Sequence, residues 1–177
     1  MLVAMTMGFV ALGSNLGDRE GMLREAVLRL KRLPRTEVLA VASFRQTEPL
    51  DCPPGAGRFL NSAAKLRTEL TARELLEGLM RIEHELGRRR TAGPRHAPRT
   101  IDLDLLLLGD QVLAGTDLEV PHPRMHQRRF VLEPLAEIAA ETVHPVLHKT
   151  VAQLLAELPG DKVPCDRPPT SGHGNDS

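Results

Sequence analysis

Apolar and polar positions along the chain alternate first with one period and then with another, and the switches mark its elements. Gly8–Leu12 is a short apolar run that stops at Gly13-Ser14-Asn15, which predicts a strand. Asp18 stands where a helix cap belongs. Behind it Leu23, Ala26, Val27 and Leu30 recur at helical spacing until Pro34 closes the helix. Val38–Phe44 predicts a second strand, and Glu48–Gly57, with three prolines and two glycines, predicts a loop. Phe59–Leu66 reads as a third strand, with Leu60, Ala64 and Leu66 on one face and Asn61 and Lys65 on the other. Thr71-x-x-Glu74 is a capping box, and it opens a helix whose Leu75, Leu79, Ile82 and Leu86 form one stripe before Gly87 stops it.

After an irregular stretch from Arg88 to Pro98, Ile101–Leu108 is the strongest strand pattern in the chain. Gly109-Asp110 reads as a two-residue hairpin turn into Gln111–Leu113. Pro121-His122-Pro123 predicts extended backbone, Arg128–Ala140 a helix interrupted at Pro134, and Thr150 the cap of a last helix through Leu158. Strands joined by helical connections, then a hairpin, predict an α+β sandwich of one sheet with helices packed on it. The expected organisation is one domain over residues 1–158 and, from Pro159, a Pro-, Gly- and Ser-rich disordered tail over residues 159–177.

Composition narrows the class. With 177 residues and 41% hydrophobic side chains the chain can bury a core without disulfide or metal staples. Its 23 cations balance 23 anions, so a chain-wide role in binding polyanions is not expected. Cys52 and Cys165 lie far apart among prolines, as in a reducing compartment. No signal peptide or membrane span is expected, and the expected location is the cytoplasm.

Candidate chemistry starts at Asp102 and Asp104. Two positions apart on a strand, they share a face at roughly 6.5–7 Å along the backbone. Ile101, Leu103, Leu105 and Leu107 are expected on the opposite, core-facing side. Two solvated aspartates on an amphipathic strand would look the same. Held together, however, the like charges favour a cation between them, and magnesium takes one or two carboxylates plus phosphate oxygens and water. Just upstream, Arg88, Arg89, Arg90, Arg95 and Arg99 concentrate guanidinium forks in a Gly- and Pro-containing loop. That loop is either a solvated basic segment or a phosphate-binding lid. Carboxylates for metal beside arginines for phosphate is the layout of nucleotide chemistry. No P-loop, Rossmann fingerprint, H-E-x-x-H or G-x-S-x-G motif is present. An RNA-binding module would show exposed strand aromatics, which this pattern lacks, and a sugar transferase using Asp-x-Asp would need a larger nucleotide-sugar domain.

Ala11-Leu12-Gly13-Ser14-Asn15-Leu16-Gly17, Phe59-Leu60-Asn61, Arg81-Ile82-Glu83 with Gly87-Arg88, Ala97-Pro98-Arg99-Thr100-Ile101-Asp102-Leu103-Asp104, Val120-Pro121-His122-Pro123 and Arg128-x-Phe130-Val131-Leu132-x-Pro134-Leu135 follow one another in order. Taken together, from about Gly8 to Ala140, they resemble 6-hydroxymethyl-7,8-dihydropterin pyrophosphokinases. The resemblance implies a ferredoxin-like, mostly antiparallel α+β fold and transfer of the β- and γ-phosphates of ATP together to the pterin hydroxymethyl group, leaving AMP. It implies that Asp102 and Asp104 hold two magnesium ions. Arg88, Arg99, His122 and Arg128 match phosphate-gripping positions. Arg90, Arg95 and His96 match positions in the lid over ATP, and Glu83 and Leu105 match positions near the nucleotide. Phe59 and Phe130 match an aromatic pair that sandwiches the pterin, with Asn61 at its amide edge, Thr47 and Leu50 in the covering loop, and Asp102 beside its hydroxymethyl group. Catalysis is thereby expected of Arg88, Arg99, Asp102 and Asp104. The expected partners are the small molecules ATP and 6-hydroxymethyl-7,8-dihydropterin, without nucleic acid or membrane, and the expected state is a monomer.

Overall fold

The computed structural model describes residues 4–47, 57–87 and 100–160. The proline-rich loop from Glu48, the arginine stretch from Arg88 to Arg99 and all but the first two residues of the predicted tail lie outside the described residues.

Strands β1 (Thr6–Ser14), β2 (Thr36–Val41), β3 (Arg45–Thr47), β4 (Phe59–Thr68) and β5 (Asp102–Leu108) form one antiparallel sheet in the order β2-β4-β1-β5, with β3 also pairing β4. Helix α1 (Arg19–Leu30) links β1 to β2, and α2 (Ala72–Glu85) links β4 to β5. This β-α-β-β-α-β order with two central strands, β1 and β4, is the expected ferredoxin-like arrangement. Both linking helices begin as predicted. Asp18 accepts the Gly21 N–H at 3.0 Å, and Thr71 and Glu74 close a reciprocal capping box at 3.2 and 2.8 Å. Gly87, at φ 90°, ends α2 in a conformation that costs other residues a steric clash.

Each face of the sheet has its own core. Leu23, Leu30, Leu75 and Leu79 of α1 and α2 pack on Val10, Leu12, Leu66 and Leu103. On the other face α3 (Arg129–Ala139) and α4 (Val151–Glu157) lay Val131, Leu132, Leu135 and Leu154 on Phe9, Ala63, Leu106 and Leu107. The face assigned to Asn61 and Lys65 in β4 is therefore covered in part by a helix. Alternation alone cannot distinguish a face that meets water from one that meets a second layer.

Four sequence expectations need correction. First, the predicted strand Val38–Phe44 ends at Val41, and a separate short strand follows it. The Ser43 N–H leaves the ladder for Glu137 Oε1 at 2.9 Å, and β3 begins afresh at Arg45. Second, Leu107 does not share a face with Leu103 and Leu105. In register against β1, Val10 faces Leu105 and Phe9 faces Leu107, so Leu106 is an extra residue, a bulge that turns Leu106 and Leu107 together toward α3. Third, Gly109-Asp110 turns the chain but does not make a hairpin with β5. Leu113–Ala114 (β6) pairs with Glu119–Val120 (β7) instead. The outer edge of β5 is taken by the segment after β7, where the His122 N–H donates to Leu106 O at 2.9 Å. Fourth, α3 runs unbroken through Pro134. The proline removes one backbone donor, and the buried stripe Val131, Leu132, Leu135 and Ala139 offsets that loss. The Val120–Pro121 peptide is cis.

Candidate active site

One row of residues crosses the sheet near the ends of β1, β4 and β5. Asn61 of β4 is paired with Gly13 of β1, and Gly13 is paired on its other side with Asp102 of β5. The next row is Ala63, Ala11 and Asp104. Register and alternation place Asn61, Gly13, Asp102 and Asp104 on one face, the face that α3 covers. With strands about 4.8 Å apart, Asn61 and Asp102 stand roughly 10 Å from one another across a residue that has no side chain. Gly13 does not have a left-handed φ. It supplies an open floor here, since an added Cβ would meet Asn61 Oδ1 at 3.1 Å.

Local bonding fixes the polar wall of this groove. Asn61, only 6% exposed, donates Nδ2–H to Thr47 Oγ1 at 2.6 Å, which turns its Oδ1 toward Gly13. Phe59 begins β4 opposite Thr47 and shares the face of Asn61. Phe130 stands in the first turn of α3 and packs on the core of the same face, with the Arg128 guanidinium carbon 5.7 Å from its ring centre. Such a contact is a cation–π geometry.

On the far side of the aspartates lies a cavity of about 250 Å³, bounded by Leu103, Asp104 and Leu105 of β5, the turn Gly115–Glu119, and His122 with Pro123. Leu103 turns its N–H outward, away from β1, and alternation gives Leu105 the same outward peptide edge beside this cavity. His122 is half-buried. Burial first, then the Arg128 cation, hold its pKa below the usual imidazole range, while Asp102 pulls the other way. Its Nδ1 accepts the Arg124 N–H at 3.1 Å, so the neutral ring keeps Nε2–H as a donor. The outer wall is clasped by Arg73 of α2, which makes two hydrogen bonds to the Asp117 carboxylate at 2.7 and 3.1 Å. Each partner shifts the other further into its charged range through that bond.

The structure thus brings Thr47, Phe59, Asn61, Asp102, Asp104, Leu105, His122, Arg128 and Phe130 to one end of the sheet. Glu83 is 3% exposed and reaches β5 from α2, its Oε1 accepting the Leu103 N–H at 2.7 Å. Leu50, Arg88, Arg90, Arg95, His96 and Arg99 lie outside the described residues. Sequence reasoning gave Gly13 no role beyond the stop of the first strand, but β1 runs on through Ser14, and a glycine inside an apolar strand is a signal of close approach. Nor did it assign one to Ser14, fully buried, whose Oγ–H donates to Thr100 O at 2.6 Å and ties the chain entering β5 to the end of β1.

Among the described residues no group of three or more His, Cys, Asp or Glu side chains could hold a metal ion. The donor set at Asp102 and Asp104 is two hard oxygen ligands, both half-exposed, next to a cavity. That set fits a magnesium ion whose remaining positions are filled by phosphate oxygens and water, and it does not fit an all-protein cage. No helix among the described residues is long and apolar enough to cross a membrane.

Comparison with known proteins gives a consistent result. The family model described as 7,8-dihydro-6-hydroxymethylpterin-pyrophosphokinase (HPPK) matches residues 9–140. The 2-amino-4-hydroxy-6-hydroxymethyldihydropteridine pyrophosphokinase of Bacillus subtilis is 47% identical over 133 residues, covering 75% of this chain and 78% of the relative. Its counterpart in Pseudomonas aeruginosa is 42% identical over 151 residues, covering 85% and 91%. Among solved structures, wild-type Plasmodium falciparum HPPK-DHPS superposes with a TM-score of 0.67 at 14% identity, over 86% of this chain. The chain spans 44% of the length of that larger protein, and at this identity the likeness is one of fold.

Proposed function

The chain belongs to the 7,8-dihydro-6-hydroxymethylpterin-pyrophosphokinase family, and we propose that the Asn61–Gly13–Asp102 row and the cavity beside it are where its two substrates meet. The protein transfers pyrophosphate from ATP to 6-hydroxymethyl-7,8-dihydropterin in folate synthesis. In the proposed arrangement the flat pterin lies over Gly13 between Phe59 and Phe130, where aromatic faces favour stacking. Asn61, held by Thr47, turns its Oδ1 toward a ring donor, and the hydroxymethyl group points at Asp102. Leu50 belongs to the segment that covers the ring.

ATP occupies the cavity along β5. Its base reads the outward peptide edge at Leu105, and its phosphates run toward Asp104, where His122 Nε2–H and the Arg128 guanidinium reach them. Arg88 and Arg99 grip the phosphates from the chain entering β5, and Arg90, Arg95 and His96 close over them. Asp102 and Asp104 would hold two magnesium ions, which when bound supply charge neutralisation on the phosphate oxygens and acidify the substrate hydroxyl. The hydroxymethyl oxygen then attacks the β-phosphorus in line. Its O–H bond breaks with the proton passing to solvent water, the new O–Pβ bond forms, and the bond from Pβ to the α-phosphate oxygen breaks to release AMP. Positioning and electrostatics carry the rate, because the phosphoryl chemistry needs no covalent partner from the protein. Arg88 and Arg99 contribute by neutralising charge that builds as the bond breaks.

The observation that carries this reading is the side-chain-free floor at Gly13, with an oriented amide on one side and the paired carboxylates on the other. The test is product identity. Incubated with ATP, magnesium and 6-hydroxymethyl-7,8-dihydropterin, the protein yields AMP and a pterin diphosphate in equal amounts, read by phosphorus NMR. Formation of ADP and a pterin monophosphate would overturn it.

A further inference from the structure

Glu83 is buried, lies on a helix that packs against the other face of the sheet, and is assigned by the resemblance only to the neighbourhood of the nucleotide. Its carboxylate does something more definite. Oε1 accepts the backbone N–H of Leu103 at 2.7 Å, and Leu103 is the residue between Asp102 and Asp104. We propose that Glu83 is a positioning residue for the metal-binding carboxylates, clamping the backbone N–H of the residue that stands between them. This rests on the reading that Asp102 and Asp104 hold the metal.

The need for a clamp follows from the topology. Among the described residues β5 is the edge strand of its sheet, laddered to β1 on its inner side. On its outer side, among the described residues, the chain after β7 meets it at Leu106, whose carbonyl accepts the His122 N–H. On that outer side the strand is thus held at the bulge residue, whereas the two aspartates sit at its N-terminal end, paired there with β1. An outward N–H there would ordinarily go to water, leaving that end free to twist and fray. A carboxylate acceptor makes a shorter and stronger bond to a backbone N–H than a neutral group would, and α2 delivers it from a rigid, doubly capped helix. The bonded N–H belongs to the peptide that joins Asp102 to Leu103, directly beside Asp102 and one residue before Asp104, so the 2.7 Å bond steadies the stretch of backbone from which both carboxylates project. Ser14 supports the same end from the other side by holding Thr100 O at 2.6 Å.

The test compares Glu83→Leu, which keeps an apolar volume and removes the acceptor, with Glu83→Gln, which returns a neutral acceptor. Amide hydrogen exchange without metal or substrate is the first readout. Leu103 N–H is protected in the wild type, loses protection in Glu83→Leu and regains it in Glu83→Gln, while Gly109 N–H, bonded to Met7 O at 2.7 Å at the other end of the strand, stays protected in all three. Magnesium titration of AMP formation is the second. Glu83→Leu raises the half-saturating magnesium concentration about tenfold or more, as loss of a group that orients a metal ligand does, and Glu83→Gln recovers most of that shift. Wild-type magnesium dependence in Glu83→Leu overturns the inference. So does a Glu83→Gln variant that keeps Leu103 protected yet needs as much magnesium as Glu83→Leu, because charge and not the clamp would then be responsible. If Glu83→Leu fails to fold, the wild type and Glu83→Gln decide the matter: Glu83→Gln that keeps Leu103 protected should need magnesium within about threefold of the wild type, and a rise of about tenfold or more overturns the inference. Asp104→Asn in the same titration separates the two levels. If it also leaves magnesium dependence unchanged, the metal reading fails; if it abolishes the response while Glu83→Leu does not, only the role of Glu83 falls.

Discussion

Gly13 shows how one missing side chain can define a site. Alanine has no backbone difficulty in the middle of a strand, yet its Cβ would sit 3.1 Å from Asn61 Oδ1, closer than ordinary van der Waals contact. The Asn61 amide would have to turn away from its 2.6 Å bond to Thr47, and the floor between Asn61 and Asp102 would rise by a methyl group. Gly13→Ala should therefore raise KM for the pterin by about tenfold or more and lower kcat, since a reacting group displaced by about 1 Å can lose on the order of a hundredfold in rate. KM for ATP should stay within about twofold, because the nucleotide cavity lies on the other side of Asp104. Steady-state kinetics with each substrate varied in turn checks this, and a shift in ATP KM equal to the pterin shift would contradict it.

At the scale of elements, the second layer formed by α3 depends on a polar contact as well as its leucines. Glu137 on its outer side accepts hydrogen bonds from Ser43 N–H at 2.9 Å, from Ser43 Oγ–H at 2.7 Å and from Arg45 at 3.0 Å. These bonds pin the break between β2 and β3, the strand next to the wall made by Thr47 and Asn61. The Ser43 donors first, then Arg45, pull the Glu137 carboxyl down to about 2 from an ordinary value near 4.5. A depressed carboxylate contributes its stability above the unfolded value and loses it as the proton returns. The contribution should thus be whole at pH 5 and above, and should fade between about pH 4.5 and 2. Glu137→Ala should cost about 1 kcal/mol at pH 7, the low end for charged hydrogen bonds because the site is partly solvated. The difference in urea midpoint between wild type and variant should shrink as pH falls toward 3. A constant difference across that range would show that the carboxylate charge is not what α3 uses.

Across the whole molecule, local signals fixed what lies close in sequence and missed what the sheet brings together. The caps at Asp18, Thr71 and Thr150, the stop at Gly87 and the strands around Val10, Ala64 and Leu105 were legible because each rests on residues a few positions apart. The bulge at Leu106 was not, since the four consecutive leucines after Asp104 give no sign of where an edge strand must twist. The pairing of β6 with β7 was hidden for a similar reason: only the folded chain shows that His122 already occupies the edge of β5. At the site, Asp102, Asp104, Asn61 and His122 were readable as residue types in motifs. The Glu83–Leu103 and Ser14–Thr100 bonds, spanning 20 and 86 positions, were not.

The central claim is that the two carboxylates of β5 bind divalent cation together with nucleotide. Calorimetric titration of a non-hydrolysable α,β-methylene ATP analogue into the protein, with and without magnesium, tests it without relying on turnover. Wild-type protein should bind the analogue tightly only with magnesium, and Asp104→Asn should weaken that magnesium-dependent binding by about a hundredfold, as loss of a direct metal ligand does at least as severely as loss of its supporting groups, while melting as the wild type does. Unchanged magnesium-dependent affinity in a folded Asp104→Asn protein would contradict the account.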